Sequence, residues 1–220
     1  MPKTANSDTF HRIFENFSAP VSRFDCGAKC APLNGGEPVC CSTDNAVPVM
    51  QKSEWKLLKA RTDMWHPYKP NDAVGRAIVA DLHKSCCAIE CNGAAHCERD
   101  NRSMACRSFP FFPYVTRDNL FIGISVYWTF EDRCWMINNL NVVDRKYKDE
   151  FIQAYETLFA DDPGEFDVFR DHSANMRRVF TRWERPIPLI GRDGKYYEIF
   201  PRAEGWRQTD FPEGKELEQE

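Results

Sequence analysis

The sequence predicts an α+β fold, with a cysteine-rich, loop-dominated metal-binding half packed on a half of β-hairpins and two amphipathic helices. Three observations predict it. Apolar residues recur at helical spacing in several segments. β-Branched and aromatic residues crowd residues 120–130. Nine of the ten cysteines fall between Cys26 and Cys106. The regions that follow are 1–115, cysteine-rich; 116–212, hairpins and helices; and 213–220, a charged tail expected to be mobile. A chain of 220 residues with 42% hydrophobic and 13% aromatic content has the material for a packed core.

Each element has its own signal. Phe10, Ile13, Phe14 and Phe17 repeat every three or four residues, which marks a short helix with one buried side. Residues 20–48 carry Pro20, Pro32, Pro38, Pro48 and the Gly35-Gly36 pair, which is loop chemistry. A loop that buries little apolar surface needs a staple to hold one shape, and a metal is one such staple. Ser53 is placed to cap a helix over residues 54–61. Asn71 or Asp72 opens a second, reaching about Lys84, with Val74, Ala77, Ile78 and Leu82 as its apolar face. Asn92-Gly93 and residues 98–103 read as turns between ligands.

Residues 120–130 read as a strand, Glu131-Asp132-Arg133 as a turn, and residues 134–138 as the returning strand. Asp144 caps a helix that turns Phe151, Ile152, Tyr155, Leu158 and Phe159 inward. Asp161-Asp162-Pro163-Gly164 ends it, and the next helix buries Phe166, Phe169, Met176, Val179 and Phe180. Residues 186–200 form a hairpin turned at Arg192-Asp193-Gly194-Lys195. Arg177, Arg178, Arg182 and Arg185 read as a solvated helix face.

Composition also narrows the function. A net charge of -4 argues against a nucleic-acid partner. No apolar run is long enough to cross a bilayer, and residues 1–8 lack the apolar core of a signal peptide. The cytoplasm is therefore the expected compartment. Thiols stay reduced there, so a cysteine cluster reads as metal-binding or catalytic before it reads as disulfides.

The cysteines form two groups: Cys26, Cys30, Cys40 and Cys41, then Cys86, Cys87, Cys91, Cys97 and Cys106. The candidate metal ligands are Cys26, Cys30, Cys40, Cys41, Cys87, Cys91, Cys97 and Cys106, drawn from both groups around a shared site, with two separate four-cysteine sites, one per group, as the alternative. Cys134 is expected to be a small core residue. His96 is a weaker ligand candidate because it adjoins Cys97, and His66 and His83 read as ordinary surface or core histidines. Thiolates serve zinc and iron alike, so the cofactor is an iron–sulfur cluster or zinc, with the cluster preferred.

Cys91-x5-Cys97-x8-Cys106-Arg107-Ser108-Phe109-Pro110, preceded by Cys87, resembles the closing motif of the CxxCxxCC family, the YkgJ-like zinc- or iron-chelating proteins. Cys106 to Pro110 matches that motif's last part, while Ser103 stands where the family has proline after the arginine. The opening signature departs further: Cys26-x3-Cys30-x9-Cys40-Cys41 keeps the double cysteine but carries a Pro- and Gly-rich insertion. That looser opening is similar to the cysteine domain of flagellin lysine N-methylases. The resemblance covers the first half of the chain and implies a metal or cluster site without a particular reaction.

The function expected is a metalloprotein acting in redox chemistry, sensing, or the maturation or modification of a protein partner. An enzyme that uses the metal centre for a small, methylase-like modification is the first rival. A structural zinc module in an assembly is the second. No glycine-rich nucleotide loop and no Ser-His-Asp constellation accompanies the cysteines.

Overall fold

The computed structural model describes residues 4–202 and 205–217. These form seven α-helices and two antiparallel sheets, of three and five strands, so the architecture is α+β. The first apolar stripe forms α1 (Ser7–Asn16), capped by Asn6, whose side chain accepts from the backbone N–H groups of Asp8 and Thr9. Phe10, Ile13 and Phe14 are its buried side. The Pro- and Gly-rich segment contains only one helical turn, α2 (Cys26–Cys30), and two 3-10 turns, Ala31–Leu33 and Val39–Cys41.

β1 (Val49–Gln51) runs straight into α3 (Lys52–Lys59). The helix starts earlier than expected: Gln51 is its N-cap, and the Ser53 hydroxyl donates instead to the Ala5 carbonyl at 3.0 Å. β2 (Trp65–Pro67) follows, then α4 (Ala73–Ala80), capped by Asp72, which accepts from Gly75 N at 2.6 Å. α4 stops short of Lys84 and its apolar side is not buried; Val74 is 67% exposed and Val79 40%. The start of the second cysteine group is a strand, β3 (Cys86–Cys91). It is the centre of the three-stranded sheet, in the order β1-β3-β2.

α5 (Met104–Ser108) leads into β4 (Phe111–Val115), whose partner is β5 (Phe121–Val126). This corrects the expected hairpin. Phe111 faces Val126 and Phe112 faces Ser125, whereas residues 134–138 are turns closed by bonds such as Cys134 N to Phe130 O at 2.8 Å. Pro110 and Pro113 disguise β4. Proline is tolerated because β4 lies at the edge of the five-stranded sheet, order β4-β5-β6-β7-β8. β5 also ends sooner than expected, since Trp128–Phe130 is a 3-10 turn.

α6 (Arg145–Asp161) and α7 (Pro163–Trp183) begin at the caps the sequence offers. Asp144 accepts from Lys146 N at 2.7 Å and Asp162 from Gly164 N at 3.0 Å, with Pro163 in the first helical position. β6 (Ile187–Gly191) and β7 (Tyr196–Phe200) form the expected hairpin, and β8 (Gly205–Gln208) adds an unforeseen edge strand. β5 and β6 meet at Gly123, where an added Cβ would lie 2.3 Å from the Ile190 carbonyl oxygen. Arg177 is not on a solvated face: it is buried and donates to the Val115 carbonyl at 2.7 Å, clasping α7 to β4.

One hydrophobic cluster runs through both regions, from Phe10, Leu58 and Ile89 to Phe111, Phe151 and Phe180. Arg107 ties the cysteine-rich region together, and Tyr147 of α6 reaches its backbone from the other region. The Arg107 guanidinium donates to the Phe17 carbonyl and to the Asp100 carbonyl at 2.6 Å, while Tyr147 OH donates to the Arg107 carbonyl at 3.1 Å. The tail touches the body: Lys215 N donates to the Asn138 carbonyl at 3.2 Å and Leu217 packs on the core. The last tail residues, 218–220, lie outside the described residues. No helix among the described residues is long and apolar enough to cross a membrane.

Candidate metal centre

Local chemistry fixes the first cysteine group. Asp25 caps α2 by accepting from Ala28 N at 3.2 Å, which places Cys26 and Cys30 at the two ends of one turn. Cys30 and Val39 are buried and anchor the loop between them. The bond from Cys41 N to the Pro38 carbonyl, 2.8 Å, closes the 3-10 turn that carries the vicinal pair. The sulfurs of Cys40 and Cys41 lie 3.9 Å apart.

The second group is spread over three kinds of backbone. Cys91 ends β3 opposite Trp65. Gly93, at a left-handed φ of 85°, makes the turn into the 3-10 segment Ala94–His96, after which Cys97 stands exposed. Cys106 sits in α5, whose cap Ser103 is fully buried and accepts from Cys106 N at 3.2 Å.

Cys40, Cys41, Cys91, Cys97 and Cys106 line one cavity of about 410 Å³. Arg102 lines it too, and its positive charge favours the thiolate forms of Cys41, Cys106 and Cys26. Burial opposes ionisation: it pushes Cys26 up to about 11 and Cys106 up to about 12. The vicinal pair shares a proton, so the hydrogen bond from Cys40 holds Cys41 low while Cys40 is raised. Cys26 and Cys30, both expected ligands, do not line this cavity. Cys40 feels both Cys26 and Cys106, and Cys30 feels Cys41.

The remaining cysteines stand differently. Cys87 does not line the cavity, and its thiol faces the Met50 carbonyl at 3.7 Å. It shares a face of β3 with Cys91, but four strand steps separate them by roughly 13 Å. Cys134 is buried in the core, as expected, though in a turn and not in a strand, and it lies near Cys26 and Cys30. Cys86, not among the expected ligands, faces a second cavity described below. All ten cysteines are free thiols. His96 is exposed, His66 lies 3.3 Å from Glu90, and His83 bonds Ser85.

The donor set suits a soft metal: five sulfurs on a common cavity, with one cation to offset thiolate charge. Trp135 Nε1 is a buried donor with no hydrogen-bond partner among the described residues, but it does not line this cavity. The Trp135 ring packs against Phe24 and Lys29 beside Cys26 and Cys30. Among the described residues no three His, Cys, Asp or Glu side chains are grouped closely enough to hold an ion.

A second cavity, of about 440 Å³, adjoins the first; Cys40, Ala46, Pro48 and Cys106 line both. Glu54 enters it from α3. Burial pushes this carboxyl up to about 8, against the hydrogen bond it accepts from Met104 N at 2.6 Å. Sequence reading passes over Glu54, yet a signal exists: Glu54 stands four residues before the fully buried Leu58, on the same face of α3. Comparison with family models, with curated proteins and with solved structures returns no match.

Proposed function

We propose that this chain is a thiolate-ligated metalloprotein in which both cysteine groups serve one iron–sulfur or zinc centre. The observation that carries the reading is the meeting of Cys40 and Cys41 with Cys91, Cys97 and Cys106 on one cavity, across more than fifty residues of sequence. Cys26 and Cys30 stand next in line as ligands. Cys87 would need the greatest rearrangement. The resemblance of the closing motif to the CxxCxxCC family points the same way.

When bound, an iron–sulfur cluster would supply one-electron redox chemistry, whereas zinc would supply a structural clasp. The chain's own residues set the conditions. Burial keeps Cys26 and Cys106 protonated at neutral pH, so loading releases protons and strengthens as pH rises. Arg102 moderates the charge left on the sulfurs. In a reducing compartment such as the cytoplasm, this centre would act in redox chemistry, sensing, or maturation or modification of a protein partner. The adjoining cavity favours one rival, an enzyme whose metal centre sits beside a substrate pocket.

The test is the metal content and visible spectrum of protein purified without oxygen. Iron with acid-labile sulfide and visible absorption, or about one zinc per chain, supports the reading. A colourless, metal-free protein that takes up neither zinc nor a reconstituted cluster contradicts it.

A further inference from the structure

The second cavity has a chemistry of its own. Its walls are aromatic, with Phe10, Phe109, Tyr127, Phe130, Tyr155 and Phe169 among them. Two carboxyl groups reach it, Glu54 from α3 and Glu165 from the first turn of α7, and its lining holds no lysine or arginine. Glu54 is 2% exposed. One of its oxygens accepts from Met104 N, and the other has no hydrogen-bond partner among the described residues. Glu165 accepts from Gln51 Nε2 at 2.6 Å. Gln51 also donates to Asp162 at 3.0 Å, which holds the amide in place.

His172 completes the wall. Its ring is wedged edge-on against Phe112 at 4.3 Å and lies 5.2 Å from Tyr127 and Trp128. Its Nε2 is buried with no hydrogen-bond partner among the described residues. A buried polar atom left unpaired costs free energy, and so does a second carboxyl placed near the first without a counter-charge.

We propose that this cavity binds an organic cation, a small amine with an apolar body, with its ammonium group between Glu54 and Glu165. The chemistry selects among ligand classes. An acid would meet two carboxyl groups and no cation. A hydrocarbon would leave Glu54, Glu165 and His172 unanswered. An alcohol would answer the hydrogen bonds but not the charge. An ammonium carries three N–H donors, enough for both carboxyl groups and the free nitrogen of a neutral His172. Aromatic faces attract the same cation and cover the apolar body. The cavity volume of about 440 Å³ lies in the range of small-ligand sites. The assignment rests on residues of α3, α7 and the aromatic wall, none of them a proposed metal ligand.

The test is calorimetric titration of the full chain at pH 8 with phenethylamine, 2-phenylethanol and phenylacetate. The amine is expected to bind at least tenfold more tightly than the alcohol, and the acid more weakly than either. Glu165→Gln, at a partly exposed position on a helix's first turn, is expected to weaken the amine at least tenfold and to remove most of its advantage over the alcohol. Equal binding of amine and alcohol overturns the proposal, as does preference for the acid, absence of amine binding, or amine binding indifferent to Glu165→Gln. The comparison of three ligands on the unaltered chain decides the matter even if the variant does not fold. It reads ligand charge and not metal, so failure here leaves the metalloprotein reading intact.

Discussion

α6 runs for 17 residues and buries Tyr147, Phe151, Ala154, Tyr155 and Leu158 against its neighbours. The segment from α2 to the Val39–Cys41 turn buries Cys30 and Val39, and otherwise holds its shape with short turns. The first kind of structure is held by packing, in which many small contacts and released water add up. The second lacks the apolar area for that and presents thiols instead. The difference teaches where a metal would matter: it would staple the cysteine loops while leaving the helix-and-sheet half as it is.

The largest effect should come from breaking the packed half. Phe151 is fully buried, with ring centroids 4.6 Å from Tyr155 and 6.1 Å from Phe17. Phe151→Ala should cost about 3–5 kcal/mol. Because one cluster joins both regions, urea unfolding of this variant should remain a single transition when followed by aromatic fluorescence and by far-UV signal. Two separate transitions would show that the halves are held independently.

Next comes the inside of the cysteine-rich region. Arg107→Met strips hydrogen-bond donors from the carbonyls of Phe17, Asp100 and Arg102 at once. A loss of about 2–3 kcal/mol is expected from leaving such groups unpaired. An unchanged urea midpoint would mean that packing alone holds this region.

Glu54 gives a pH signature. Its carboxyl is raised from 4.5 to about 8 in the fold, so between these values the folded state holds a proton that the unfolded state has lost. Its contribution to stability is present in full below pH 4.5 and is lost as pH rises toward about 8. The slope from this one group cannot exceed about 1.4 kcal/mol per pH unit. Glu54→Gln should flatten the fall between pH 5 and 8, and an unaltered pH profile of stability would remove Glu54 as its source.

The smallest effect separates the two regions most cleanly. Asp144 and Asp25 both cap helices, of 17 and five residues respectively. Asp144→Ala should lower global stability by about 1 kcal/mol and leave metal loading untouched. Asp25→Ala should hardly move the urea midpoint yet reduce metal loading, since α2 sets the positions of Cys26 and Cys30. The reverse pattern would contradict the division of labour.

The elements legible in the sequence are those whose own residues decide them. α1, α6, α7 and the β6–β7 hairpin announce themselves through stripes, caps and an Asp-Gly turn. β4 was hidden because its prolines are tolerated only at a sheet edge, a fact of topology and not of local pattern. Its absence left β5 in need of a partner, and the residues after the Glu131-Asp132-Arg133 turn were the nearest apolar run. α4 shows the opposite error, in which an apolar periodicity exists but nothing covers it. At the candidate site, the spacings suggested that the two cysteine groups approach one another; Cys40, Cys41, Cys91, Cys97 and Cys106 share a cavity wall, whereas Cys26 and Cys30 do not line it. The isolation of Cys87 was not legible, because it depends on β3 being a strand. Arg102 and Glu54 gain their roles from burial and from neighbours distant in sequence, which no single motif records.

The central claim is that one metal centre draws on both cysteine groups, and metal stoichiometry in two single variants tests it most directly. Cys41→Ser removes a thiol of the first group and Cys106→Ser one of the second, each from the same cavity. With protein purified without oxygen, each change alone should empty or sharply deplete the same metal, and the double variant should lose no more than either single one. If each single variant loses only part of the metal and the double variant loses the sum, the groups hold separate sites and the shared centre is contradicted.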